Sequence, residues 1–205
     1  MARIIDAPRA PQIGAGLGRE RRPPSLLDDL RADIGKKLEL HADAQGRGSR
    51  LALLMERGTL AVVVYRFGRW ARALRVPVLR AAAMFAYYAL FYLVQMFTGI
   101  SIQAYAAIGP GFVVRNFSCI FVLAESIGSN FTVCEGVTVG NIRGAGRLPV
   151  IGDNVYLEPG CKVLGAVTIG DNVVVRANSL VISDIPAGSI AIGNPARAHP
   201  RPPND

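Results

Sequence analysis

From Ile102 onward the chain repeats every six residues. Branched aliphatics stand at Ile102, Ile108, Val114 and Ile120, then, after a slip of one residue, at Ile127, Val133, Val139, Ile151, Leu157, Val163, Ile169, Val175 and Val181. A small or apolar residue recurs four places on, at Ser118, Ala124, Val137, Val155, Cys161, Val167, Val173 and Ser179, and Gly, Asn and Asp fill the corners, as in the two I-G-D-N runs. Only the hexad at Ala145 fails. A six-residue strand cannot cover its own inward face, so a period kept this long predicts coils stacked into a parallel β-helix. With three strands per turn, positions about eighteen apart stack. The slip between Ile120 and Ile127 makes that spacing nineteen once, which sets Asn116 beneath Glu135 and predicts Asp153 and Asp171 in the same column.

Upstream the period is helical. Residues 25–42 open with Ser25 and Asp28 and carry apolar residues at Leu26, Leu27, Leu30, Ile34 and Leu38, the pattern of a capped amphipathic helix. An AQGRGS linker follows, and a second helical run is expected from near Leu51. Residues 57–80 hold six arginines and no acid, and residues 81–98 run for eighteen positions without a charge. Eighteen uncharged residues reach the length of a membrane span. Gln95, the alanines and the adjacent tyrosines suit a helix packed between subunits; interfacial contact with a membrane and a single pass through it are the other placements.

The division that follows is 1–24, a Gly-, Pro- and Arg-rich disordered arm without the apolar core of a secretory signal; 25–98, a helical domain with a basic and an apolar segment; 99–198, the β-helix; and 199–205, a tail. The fold class is α+β.

Charge sharpens the picture. The net +8 lies wholly in the first half: residues 1–98 hold 16 of the 23 basic and 8 of the 15 acidic side chains, and the remainder holds 7 of each. Such an asymmetry suggests an anionic surface as partner. Paired Cys/His ligands, an RNP-type motif and a zipper are all lacking, so no nucleic acid is expected, and no metal-ligand cluster is present. Cys119, Cys134 and Cys161 form no C-x-x-C pair and are odd in number, which fits a reduced, cytoplasmic setting, with peripheral contact at the inner face of the membrane through residues 57–98 as an extension.

The run GISIQAYAAIGPGFVVRNFSCIF, then FTVCEGVTVG, the Gly/Arg loop NIRGAGR, and LPVIGDNVYLEPGCKVLGAVTIGDNVVVRANSLVISDIPAGSIAIGNPAR, with YRFGRW at 65–70, resembles the serine O-acetyltransferase family and its relatives in polysaccharide-biosynthesis clusters. The likeness spans roughly residues 50–200. It implies a left-handed parallel β-helix of hexapeptide repeats, a homotrimer or dimer of trimers, acetyl-CoA as co-substrate in the groove between subunits, and acetylation of a hydroxyl. Within that family a His takes the hydroxyl proton. The matching position here is Asn116; the preceding family Asp corresponds to Arg115, the second His to Leu148, and a further common His to Gln103.

An amide cannot accept a proton. The histidines present, His41 and His199, match no family position; His41 reads as a charge partner near a helix C-terminus and His199 as a solvated tail residue. Glu135, where relatives carry Gln, is therefore the candidate base, with Asn116 orienting the acceptor; the plainer reading is a polar rung on the solvent face. Gly140 and Asn141 match the family's corner near the thioester, and Lys162 and Arg176 join them as cofactor-binding candidates. Arg115, Arg143 and Arg147 are candidates for an anionic acceptor or the coenzyme phosphates. Cys134, without a His partner, is a poor acyl carrier.

The leading expectation is thus an acetyl-CoA-dependent O-acetyltransferase for a saccharide or serine. A silent paralogue serving as scaffold or regulator is one alternative. An N-acyltransferase for an amino sugar is the other, because an amine delivered neutral attacks without a strong base.

Overall fold

The computed structural model describes residues 25–45, 56–116, 118–141 and 147–202. Three helices precede a three-faced prism of parallel strands. They are α1 (Leu26–Gln45), α2 (Arg57–Ala73) and α3 (Pro77–Thr98). The expected arm and the helix start near Leu51 lie outside the described residues; of the expected AQGRGS linker, Ala44 and Gln45 belong instead to the end of α1, and the rest lies outside.

The first face stacks β1 (Ile100–Ile102), β4 (Ile120–Val122), β7 (Thr138–Gly140), β10 (Lys162–Leu164) and β13 (Leu180–Val181). The second stacks β2 (Ala107–Ile108), β5 (Ser126–Ile127), β8 (Val150–Ile151) and β11 (Thr168–Ile169). The third stacks β3 (Val113–Val114), β6 (Thr132–Val133), β9 (Tyr156–Leu157), β12 (Val174–Val175) and β14 (Ser189–Gly193), and ends in β15 (Ala196–Pro200). All pairings are parallel except β14 with β15, an antiparallel hairpin that closes the last coil. His199, exposed, lies within β15 opposite Ile190.

The expected inward aliphatics form the core. Each of the thirteen, from Ile102 to Val181, is at most 3% exposed. Two details of register differ from the reading of the sequence. The slip lies upstream of Ile120: Ile102 pairs with Val122 and Ile100 with Ile120, twenty apart. Two extra residues thus bulge at the corner before β4, where Ser118 and Cys119 take positive φ of 106° and 52°, and the next corner is one residue shorter. Ser118, expected inside, is exposed. The aliphatic Ile120 also points inward, so counting by sixes passed over the bulge.

The second difference concerns the Gly/Arg loop. Thr132 pairs with Tyr156 and Thr138 with Lys162, each twenty-four apart, whereas later coils keep eighteen. The coil that carries this stretch is therefore six residues longer than those after it, rather than one of ordinary length with a failed rung. Asp153 and Asp171 consequently do not continue the Glu135 column. They occupy the corner between second and third faces, where Asp153 Oδ1 accepts from Ser129 N and Asp171 Oδ1 from Asp153 N, both at 2.7 Å. Beside them Asn130, Asn154 and Asn172 form a side-chain ladder, with amide bonds of 2.9 and 3.1 Å.

The helices close the open end. An edge strand leaves backbone groups without partners, and buried ones must find them. Tyr65 Oη donates to Ala106 O and accepts from Ile108 N. Arg66 Nη1 donates to Ile108 O at 2.8 Å and Nη2 to Gly109 O at 2.7 Å, while Nε and the same Nη2 grip the Asp33 carboxylate at 2.8 and 2.9 Å. Asp33 Oδ1 in turn accepts from Phe112 N at 2.7 Å.

This polar lid corrects the expected amphipathic face of α1. Leu27 is exposed, and Leu26, Leu30, Ile34 and Leu38 are only half-buried; among the helix's described side chains the buried ones are Asp33 and Lys37. Lys37 reaches Thr59 Oγ1 and Glu56 Oε2, both at 2.6 Å. Helix α1 begins at Leu26, just after Ser25, whose Oγ donates to Asp28 Oδ2 at 2.7 Å.

Candidate functional site

Asn116 and Glu135 follow the paired residues Val114 and Val133 by two positions each, so the parallel ladder brings them side by side at the corner between third and first faces. Asn116 Nδ2 donates to Glu135 Oε2 at 2.7 Å. Asn116 is exposed and Glu135 half-buried, which leaves the carboxylate reachable by a solute. The corner is fixed from both sides: Gly160 N donates to Glu135 O at 2.9 Å, and Gly136 N to Ser118 O at 3.1 Å. Gly136 holds φ of 70°, a conformation that a side chain resists. The column continues through Pro159 and Ala177, which offer no side-chain acid or base.

Next to this corner runs a second network on the third face. Arg115 Nη1 donates to Tyr156 Oη at 3.2 Å, and Cys134 Sγ meets the same hydroxyl at 3.4 Å. Burial pushes the Cys134 thiol above its ordinary value, with the Tyr156 bond opposing, and burial raises Tyr156 likewise. Burial that favours the protonated thiol makes Cys134 a weak nucleophile. Tyr156 was not singled out from the sequence. It sits one place before an inward Leu, and only the twenty-four-residue coil brings it beside Arg115 and Cys134.

Farther along, Arg176 Nη1 donates to Glu158 Oε1 at 2.8 Å, and Glu158 Oε2 accepts from Ala177 N at 2.9 Å. Arg176 is thus drawn to a neighbouring carboxylate on the third face. Lys162 is exposed on the first face beside Thr138 and Leu180. Gly140 is buried at the far end of β7, its carbonyl accepting from Gly165 N at 2.9 Å, and Asn141 is half-buried at the corner beyond. Arg147 is exposed, and Arg143 lies outside the described residues.

The chain therefore gathers Asn116 with Glu135, and Arg115 with Tyr156 and Cys134. Gly140, Asn141 and Arg147 stand one face away, past the length of β7. His41 lies on α1 with Nε2 at 3.4 Å from Glu56 Oε1, and His199 on the closing hairpin, so neither is part of the corner. Among the described residues no group of His, Cys, Asp and Glu could hold a metal ion.

A family model described as bacterial transferase hexapeptide (six repeats) matches residues 149–183. The serine acetyltransferase of Helicobacter pylori is 35% identical over 171 residues, which cover 80% of this chain and 95% of that protein. The chain belongs to the serine acetyltransferase family.

Two solved serine acetyltransferases share the arrangement of helices and prism. The crystal structure from Brucella abortus strain S19 matches with a TM-score of 0.68 at 25% identity, over 83% of this chain and 66% of that one. A serine acetyltransferase in complex with CoA matches with a TM-score of 0.70 at 25% identity, over 86% and 70%. This serine acetyltransferase family member thus spans about two thirds of the length of these solved chains.

Proposed function

We propose that the protein is an acetyl-CoA-dependent O-acetyltransferase acting on a hydroxyl of a small acceptor, serine or a saccharide, with Glu135 as the base. The observation that carries this reading is the 2.7 Å bond joining the Asn116 amide to the Glu135 carboxylate at a solvent-open corner of a serine acetyltransferase prism. The relatives that it resembles are serine acetyltransferases, one of them solved with CoA, which supports the acyl donor and makes serine the first acceptor to test.

The residues fit the co-substrate in kind. Lys162 and Arg147 are exposed cations suited to phosphates. Acetyl-CoA supplies the acyl group. The acceptor hydroxyl would give up its proton to a Glu135 oxygen as its own oxygen attacks the thioester carbonyl; the C–S bond breaks, the new ester forms, and coenzyme A leaves as the free thiol with the proton returned from Glu135, while Asn116 Nδ2 keeps the carboxylate turned toward the corner. Within one chain Gly140, Asn141 and Arg147 are a face away from Glu135. A homotrimer, in which a face of one subunit meets a face of the next, would bring such residues together.

Release of free thiol from acetyl-CoA is measured with serine, sugars and amino sugars as acceptors. Glu135→Gln is expected to lower kcat by about 10² to 10⁴, the contribution of a general base. Asn116→Ala is expected to lower it less, since the carboxylate remains. Unchanged turnover in both variants removes the pair from the mechanism.

Asn116 itself favours a second reading, a silent paralogue acting as scaffold or regulator, because the amide stands where the family keeps its proton acceptor. Calorimetry with CoA separates the two: binding with turnover supports the transferase, and no binding supports the paralogue.

A further inference from the structure

Helix α3 is 22 residues long and apolar enough to cross a membrane by length and composition. The helix buries only one stripe, Ala83, Tyr87, Phe91, Val94 and Thr98, against α2 and β1, and among the described residues it contacts no other element. The seat on α2 is tight: a Cβ at Gly68 would overlap the Tyr87 ring. Everything opposite the stripe faces outward. Phe85 is 80% exposed, Phe97 71% and Met96 70%, with Val78, Leu79, Tyr92 and Leu93 around them. With exposed Tyr88 and Leu90 at its margins, this apolar surface sweeps roughly 200° of the helix at 100° per residue, far beyond a single packing stripe.

Charge distinguishes the possible occupants. The sequence from Arg57 through Ala124 contains seven arginines and no acid. Arg72, Arg75 and Arg80 are exposed around the turn between α2 and α3, at one end of the apolar face. The acids of α1 lie elsewhere: Asp29 and Asp33 meet Arg66, and α1 makes no contact with α3. A second copy of this face would set uncharged or basic surface against arginines, with no carboxylate to pair them. An anionic headgroup layer over hydrocarbon matches both features at once.

We infer that α3 lies in the surface of an anionic phospholipid bilayer, its Phe85–Met96 side in the acyl region and Arg75 and Arg80 at the phosphates. The helix does not pass through the bilayer. Its buried stripe is seated on α2, which carries Arg66 in its pair with Asp33, and Gly99 leads directly into β1. A spanning position would drag that charged element into hydrocarbon.

The test is co-sedimentation of the full chain with vesicles of phosphatidylcholine alone or mixed with phosphatidylglycerol, at low and high salt, alongside sedimentation velocity without lipid. The protein should pellet with the anionic vesicles and less at high salt. Arg75→Gln with Arg80→Gln should weaken binding by about 25-fold, about fivefold for each arginine near the surface. Phe85→Glu with Met96→Glu should abolish it while circular dichroism stays unchanged, because both side chains are exposed. Failure to pellet with either vesicle overturns the inference, as does equal binding to both that ignores the arginine variants. An assembly that the Phe85→Glu, Met96→Glu variant splits, with no vesicle binding by the parent protein, assigns the face to a second copy instead.

Discussion

At one corner of the prism a hydrogen bond joins an amide that cannot take a proton to a carboxylate that can. The pair exists because the third-face ladder sets residues nineteen apart in the chain next to each other. Its neighbours are fixed by burial. The Cys161 thiol is pushed up to about 12 from 9.0, burial being the chief cause and the nearby Cys134 and Glu158 adding to it. The folded chain therefore holds this proton more tightly than the unfolded one. The resulting stability is complete below pH 9.0 and is lost as pH rises through about 12. Denaturant unfolding across that window should show stability falling with pH, and falling less steeply in Cys161→Ala, which has no thiol to ionise; equal slopes would rule the thiol out. At neutral pH a thiol reagent should label exposed Cys119 in the native protein and reach Cys134 and Cys161 only on unfolding.

Among the elements, α1 and α2 act as a lid that joins the prism through a buried polar network beside the apolar core that α2 shares with it. The Asp33 carboxylate is buried, and desolvation raises its pKa while Arg66 pulls it back. Removing one partner leaves the other charge buried together with backbone groups at the edge strands, and that loss exceeds the worth of the pair itself. Asp33→Ala is expected to cost about 3–5 kcal/mol in urea unfolding. A loss below about 1 kcal/mol, typical of an exposed pair, would mean that the lid opens to water. The same logic explains why the hydrophobic pattern of α1 misled: its leucines are partly wet because a prism end made of carbonyls and amides attracts charge.

For the whole molecule, one continuous core runs from Ala61 of α2 and Val94 of α3 through every coil to Ala191 and Ala196. Coils stacked on one another, and on helices that share their core, should unfold together. Leu157→Ala, at a fully buried position in the middle coils, is expected to cost about 2–5 kcal/mol. Helical and strand signals in circular dichroism should still be lost in one transition; two separate transitions would show that the lid and the prism are independent.

The six-residue period by itself determined the prism, its thirteen inward aliphatics and the meeting of Asn116 with Glu135, because an inward position repeats in the chain as it repeats in space. It also made α3 visible as a long uncharged helix. Tertiary structure decided what periodicity cannot carry. Ile120 points inward like a proper rung, so the spacing showed the slip only after Ile120 and hid the bulge before β4 that causes it. Six added residues in one coil mimic one missing rung, so the columns beyond them shifted by a face, separating Asp153 from Glu135 and joining Tyr156 to Arg115. Whether a turn of chain is a strand or an excursion depends on which backbone groups find partners across the coil, and that contact is made between residues far apart in sequence.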